Sequence, residues 1–297
     1  MPDFLPVNAK SYYEFLPSAK DECGDIWNNI PEFGLFEMEA VTAILVSPAC
    51  DISNFKTETL TFLPIISISR YFSTLGFLPT LRREIEERLK SAELELSIDW
   101  FDPGYRRPIA ANVEKEILRL QGEKTQATKN KGRAGHIERA ISGLNIVISG
   151  GAASPAIYSD VSSLFGSKWD ALKRQIITNS YRPDLHFFPR DGQSVEMPGI
   201  KEHSVAMLRY PITIPTEFLS ASQHMAASQW REFLGSSLNS GGFGKHFCAE
   251  MPIKSLSLKA QFLSDLISRF TSLYGRIGSP DFSRATVEKI SNEFTDG

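Results

Sequence analysis

Apolar positions along this chain fall into two kinds of run. Val41-Thr42-Ala43-Ile44-Leu45-Val46-Ser47 and Thr59 to Ile68 are short, nearly continuous and rich in β-branched residues. Continuous apolarity predicts strands buried on both faces. Ser47-Pro48 stops the first run, and Asp51 to Lys56 supplies turn residues before the second. Pro64 inside the second run predicts a bulge or an edge position. Upstream, Gly24-Asp25-Ile26-Trp27 reads as a turn entering a strand, broken at Ile30-Pro31. The strand signal returns at Leu185 to Pro189 and at Ser204 to Ile214. Residues 1–23 mix aromatic and polar positions and read as a short helix or a packed arm.

Between and after these runs the period lengthens. Leu81, Ile85 and Leu89 recur at i+4 among charged residues, which predicts an amphipathic helix with Thr80 as cap and Pro79 ahead of it. Val113 to Leu120 is a second helical piece, and Ile137 to Ile148 a further helix or helix–strand mixture. Gln121 to Gly135 lacks apolar periodicity and carries Gly122, Gly132 and Gly135, so it reads as a flexible basic loop. Ser167-Lys168-Trp169-Asp170 has capping-box spacing ahead of Leu172, Ile176 and Ile177. Glu217 to Leu234 reads as helix, and Gly235 to Gly244 as a mobile linker. Leu258, Phe262, Leu266, Phe270, Leu273 and Ile277 form one stripe, predicting a helix from Ser257 to Arg276 with Gly278 at its C′ position and Pro280 beyond. Ser283 to Phe294 reads as a short polar terminal helix.

Two separated strand regions with helices between them predict an α+β protein. A two-stranded hairpin is marginal alone. The simplest solution is a small β-barrel domain over 1–69 and 183–215, a mainly helical insertion over 70–182, and a C-terminal helical segment over 216–297 packed on the barrel.

Composition narrows the function classes. The chain has 297 residues, 42% hydrophobic and 23% charged, and a net charge of −3, so it lacks the overall polybasic footprint of a strong nonspecific nucleic-acid binder. Its 20 phenylalanines imply an aromatic core. Cys23, Cys50 and Cys248 form no CxxC pair, which argues against a disulfide framework and a Cys-rich zinc site. His136, His186, His203, His224 and His246 show neither HxH nor HExxH spacing, so no metal site is expected, and no cofactor motif is read. The start lacks the basic and apolar regions of a signal peptide, and no run approaches the ~18 apolar residues that span a bilayer. A cytoplasmic protein without membrane association is expected.

Several early segments resemble the MazF/PemK family of toxin endoribonucleases, whose fold is an SH3-like barrel. They are Gly24-Asp25-Ile26-Trp27, the Pro31 to Gly34 loop, Leu45-Val46-Ser47-Pro48 and Leu63-Pro64-Ile65-Ile66, with Val205 to Ile214 matching a later barrel strand. The resemblance spans 24–68 and extends to 185–214. It implies RNA or DNA as a partner, a barrel that dimerises, a partner protein encoded nearby, and a role in phage defence or stress response. The family's site uses an Arg before the second strand and a Ser or Thr after the Pro-Ile segment. Glu37-Met38-Glu39-Ala40 stands where that Arg would lie, Ser67 or Ser69 matches the hydroxyl position, and Arg70 is the nearest cation in sequence. The Ser47-Pro48-Ala49-Cys50-Asp51 segment is similar to one in uncharacterised bacterial proteins, some near phage-defence genes.

The function expected from this is an interaction or nucleic-acid-associated module. The alternatives are a metal-independent endoribonuclease using Ser67 and Arg70, and a cysteine-dependent hydrolase using Cys50 with Asp51. An activated thiolate needs nearby positive charge, so Asp51 counts against the last. The plainer reading makes Cys50 a small buried hydrophobe at a strand end and Asp51 a turn cap. Lys124, Lys129, Lys131 and Arg133 are candidate phosphate contacts or a solvated loop. Arg182, in Arg182-Pro183-Asp184, is a candidate cation for the barrel site or half of an Arg–Asp pair. His186 reads as a core or barrel-mouth residue and His203 as ligand-facing. Gly241-Gly242-Phe243-Gly244-Lys245 lacks the GxxxxGK[ST] of a phosphate loop and reads as linker.

Overall fold

The computed structural model describes residues 9–34, 36, 38–54, 56–100, 107–150, 156–194, 196–236, 243–247, 250–275 and 283. Cys248, Glu37, Gly241, Gly242, the Ile277, Gly278 and Pro280 end of the late helix, and the terminal helix expected past Ser283 lie outside these residues.

Helices and a mixed-order sheet make this an α+β protein. Among the described residues the sheet has eight strands: β1 (Tyr13–Glu14), β2 (Asp25–Ile30), β3 (Val41–Leu45), β4 (Thr59–Ser67), β5 (Leu185–Phe188), β6 (Ser204–Met207), β7 (Ile212–Pro215) and β8 (Ile253–Leu258). Pairing is antiparallel throughout, in the order β1-β8-β2-β3-β4-β6-β5 with β7 also on β4. Backbone pairing does not close this sheet. β4 is the longest strand and the organising one. Its first half pairs with β7 and its end with β6, while β3 runs along the other side. Pro64 therefore lies in a central strand, not at an edge or bulge. It sits where the partner changes from β7 to β6, so the missing N–H coincides with a gap in the pairing.

Both faces of the sheet are covered, as the continuous apolar runs require. Trp27, Val41, Ala43, Leu45, Leu60, Phe62, Ile66, Val205 and Met207 face a large core shared with the helices. Their neighbours Ile26, Ile44, Val46, Leu63, Ile65, Phe188, Ala206, Leu256 and Leu258 face a second core. The large core holds α4 (Leu78–Ser91), α5 (Ala110–Gln126), α6 (Lys131–Ile148), α7 (Ala156–Phe165) and α8 (Trp169–Ile177). The second core is sealed by α11 (Ala260–Tyr274), through Leu266, Phe262, Leu263, Ile267, Phe270 and Leu273.

Several local expectations change. Gln121 to Gly135 is not a loop: α5 and α6 form a hairpin joined by a 3₁₀ turn at Ala127–Lys129. A Cβ at Gly122 or Gly135 would meet nothing within 4 Å, so these glycines cost helix propensity only, and burial of Leu120, Ala127 and Ile137 overrides it. Gly143 has a different reason, since its Cβ would stand 2.5 Å from Ile85 Cγ1 where α6 crosses α4. The helix expected from Thr80 starts at Leu78 with Pro79 in its first turn, where a missing N–H is harmless. Ser167 makes no cap; a 3₁₀ turn, Gly166–Lys168, leads into α8 instead.

The late stripe divides. Leu256 and Leu258 belong to β8, inserted between β1 and β2, and helix begins only at Ala260. The segment expected to be helical over 216–297 thus supplies an inner strand. Glu217 to Leu234 breaks at Met225–Ala226 into α9 (Thr216–His224) and α10 (Ala227–Gly235), and Phe243–His246 is a 3₁₀ turn. Residues 46–58 between β3 and β4 hold α2 (Ala49–Ser53) rather than a plain turn. At the start, α1 (Ala9–Tyr12) leads directly into β1.

Candidate functional site

A cleft of about 370 Å³ opens at the end of β4. One wall is Ile65, Ile66 and Ser67, with Arg70 on α3 (Ile68–Tyr71). β2 and β3 supply Asn28, Asn29 and Thr42, and the loop from β5 to β6 supplies Gly199 to Glu202. Met38 and Ala40 complete the rim. Two sequence candidates, Ser67 and Arg70, therefore share one concavity.

Each wall has an identifiable support. Ser67 caps α3, its Oγ accepting from the Arg70 N–H at 3.3 Å. Ser67 Oγ also lies 2.9 Å from Ser69 Oγ, and Ser69 donates to Glu202 Oε2 at 3.2 Å. Tyr158, on α7, bonds to Ser69, and burial, then the Glu202 charge, raises its phenol above the usual tyrosine range. Asn28 Nδ2 donates to Thr42 Oγ1 at 2.8 Å and across to Gly199 O at 3.1 Å, tying the β2–β3 wall to the opposite loop. Asn29 takes φ +64° at a β2 irregularity and donates to Met251 O at 2.9 Å. The β5–β6 loop is built on Asp191, whose carboxylate is 1% exposed. It accepts from the N–H groups of Gln193 and Ile200, both at 2.8 Å, and pairs with Lys201 Nζ at 3.3 Å.

Cys50 and Asp51 stand elsewhere. They line a cavity of about 730 Å³ with Cys23, Ile52, Thr57, Gln223 and His224. Cys50 is exposed on the first turn of α2, not buried at a strand end as the plainer reading had it. Its Sγ faces Asp51 Oδ1 at 3.6 Å, which puts negative charge beside the sulfur, the reverse of what an activated thiolate needs. His224 shares the cavity, with Nδ1 2.7 Å from Ser220 O. Burial, then Asp25, pushes the Cys23 thiol up to about 11. Among the described residues, no group of three His, Cys, Asp or Glu is placed to hold a metal ion, and no helix is long and apolar enough to cross a membrane.

The basic candidates fall on the α5–α6 hairpin. Lys124 pairs with Glu138 at 3.1 Å, and Arg133 with Glu123 at 3.1 Å and with Ala92 O. Lys129 and Lys131 are exposed there. Arg182 makes a two-bond pair with Asp184 and donates to Gly76 O, so it is a structural strut. His186 is buried, as expected of a core residue. His203 is exposed, and its Nδ1 accepts from the Arg190 N–H at 3.2 Å. Sequence reading missed Asn28, Tyr158, Lys201 and Glu202, which join the cleft or its network from distant segments.

No protein-family model, curated protein or solved structure matches this chain. Its function therefore rests on the site's own chemistry.

Proposed function

We propose that the chain is a nucleic-acid-associated interaction module that holds single-stranded RNA in the β4–α3 cleft. The observation carrying this reading is the convergence of Arg70, Lys201 and the Ser67 hydroxyl, with Asn28 and Asn29, on one concavity that also takes the single carboxylate of Glu202. Cations beside hydroxyl and amide groups suit the phosphate and sugar oxygens of a nucleic-acid strand. We read the sheet as curled in the manner of a MazF/PemK-like SH3-type barrel. Support comes from the two ends of the strand order: Tyr12 and Tyr13 hydroxyls reach His186 and Pro189 O beside β5, at 3.0 and 2.5 Å. Residues 37–40, where the toxin family carries its Arg, bring Met38 and Ala40 to the same cleft, so Arg70 and Lys201 take over the cationic role.

Fluorescence anisotropy with a labelled single-stranded RNA tests this. Binding should weaken steeply with salt. Arg70→Gln with Lys201→Gln should cost about a hundredfold or more, given ~1.5–3 kcal/mol for each of two charge-assisted contacts. Absence of low-salt binding, or indifference to the double variant, would sink the reading.

A metal-independent endoribonuclease of MazF type is the second reading, favoured by Ser67 and Arg70 lining the same cleft. It requires cleavage of single-stranded RNA in the presence of a chelator, abolished by Ser67→Ala and by Arg70→Ala.

A further inference from the structure

We propose that Ser67 is a nucleophile, activated by a one-directional hydroxyl relay through Ser69 to Glu202, and that the cleft attacks a phosphate ester with it. This rests on the cleft being the functional site, but not on RNA being its ligand.

The direction of the relay follows from counting protons. A carboxylate only accepts, so the single Ser69 proton is committed to Glu202 Oε2 at 3.2 Å. At the 2.9 Å contact between Ser67 Oγ and Ser69 Oγ, Ser67 must then be the donor. The Arg70 N–H points at a Ser67 lone pair, which fixes the remaining orientation. Ser67 lines the cleft, whereas Ser69 is 2% exposed and sealed from it. The arrangement is a half-buried hydroxyl on the cleft wall, a buried hydroxyl behind it and a carboxylate at the end. That is the layout of a nucleophile with an oriented base. Tyr158 holds Ser69 from the helical side.

The electrophile follows from charge. Arg70 and Lys201 line the same cleft, Lys201 while also paired with Asp191 at 3.3 Å, and their positive charge suits the developing negative charge of a phosphoryl centre. In the first step Ser67 Oγ bonds to phosphorus and the ester P–O bond breaks. The Ser67 proton moves to Ser69 as the Ser69 proton moves to Glu202. The departing alkoxide takes a proton from water and leaves as an alcohol. The hydroxide so formed attacks the phosphoseryl phosphorus, the Ser67 O–P bond breaks, and Glu202 returns the proton to Ser67 through Ser69. Ser67 is the catalytic group; Ser69 and Glu202 are positioning residues.

A fluorophosphonate probe tests this without RNA. Attack by Ser67 forms an O–P bond and releases fluoride, leaving a stable adduct that peptide mass spectrometry locates. The full chain should acquire one adduct, at Ser67, and Ser67→Ala should abolish it. Glu202 is exposed, so Glu202→Gln should leave the melting curve unchanged while slowing labelling by about tenfold or more. Glu202→Asp should restore part of that rate. Ser69→Ala should behave as Glu202→Gln; if it fails to fold, the Glu202 pair still decides. No adduct at Ser67 under conditions that label a serine protease, or an equal rate in Glu202→Gln, overturns the proposal. RNA binding that survives either result leaves the binding reading standing on its own.

Discussion

Gly199→Ala is the sharpest perturbation of the cleft wall. Gly199 has φ +148°, a conformation that side chains rarely adopt, and a Cβ there would collide with Asp191 Oδ2. It would also stand 3.3 Å from Asp191 Cγ and 3.5 Å from Leu256 Cδ1. Backbone strain at such a position costs about 1–3 kcal/mol. The carboxylate cannot yield freely, because moving it stretches its bonds to Ile200 N and Lys201 Nζ, at 2.8 and 3.3 Å. Weakening one charge-assisted bond adds about 1.5–3 kcal/mol. The sum is about 2.5–6 kcal/mol, a large fraction of a typical domain's stability. Urea unfolding followed by intrinsic tryptophan fluorescence, to which buried Trp27, Trp100 and Trp230 contribute, measures it. The double variant with Asp191→Ala isolates the cause, since deleting the obstacle should make the combined loss smaller than the sum of the singles. A Gly199→Ala chain within about 0.5 kcal/mol of wild type would refute the reasoning, because ordinary surface changes fall in that range.

Other perturbations report on different parts. Lys254 is 8% exposed, pairs with Asp21 and Asp25 at 2.8 and 3.1 Å, and donates to Ser18 O and Lys20 O. Lys254→Met should cost about 3–5 kcal/mol in the same unfolding assay by stranding the buried Asp25 carboxylate, and Asp25→Asn in the same chain should recover part of it. His186 is 2% exposed, and burial pushes its imidazole down to about 4, with Asp265 raising and Arg269 lowering it. The folded state keeps it neutral while the unfolded chain takes up the proton. Its stabilising contribution, present above about pH 6.5, should therefore fall by about 3 kcal/mol as pH drops toward 4, and His186→Gln should flatten that pH dependence. Because Tyr12 donates to Phe187 O at 2.9 Å, His186 Nε2 must donate to Tyr12, and nitrogen NMR should find the Nε2–H tautomer. Iodoacetamide should alkylate exposed Cys50 well before half-buried Cys23 in the native chain, and equal rates would contradict the environments assigned to them.

What was legible in the sequence follows physical lines. The strands of 41–46 and 59–68 announced themselves because both faces are buried, and the i+4 stripe of α4 because one face is. β8 was hidden because its last residue, Leu258, stands four positions before Phe262 and so continues, by coincidence, the stripe of the helix that follows. The α5–α6 hairpin was hidden because its glycines suppress local helix signals while tertiary burial supplies the stability. Ser67 and Arg70, singled out in the sequence by their position after the Pro-Ile segment, line one cleft because they lie three residues apart at the end of β4. Asn28, Lys201, Glu202 and Tyr158 carry no local pattern, since they reach the cleft or its network through strand pairing and one long loop. Cys50 and Asp51, conspicuous as neighbours in sequence, proved to sit apart from that cleft.

Photo-crosslinking tests the central claim most directly. A single-stranded RNA carrying 4-thiouridine would be irradiated with the full chain, and the adducts mapped by peptide mass spectrometry. Binding in the β4–α3 cleft predicts crosslinks on the peptides holding Ser67 to Arg70 and Gly199 to Ser204, two of the segments that line it. Crosslinks confined to the α5–α6 hairpin around Lys124 to Arg133, or none at an RNA concentration that saturates anisotropy, would contradict it.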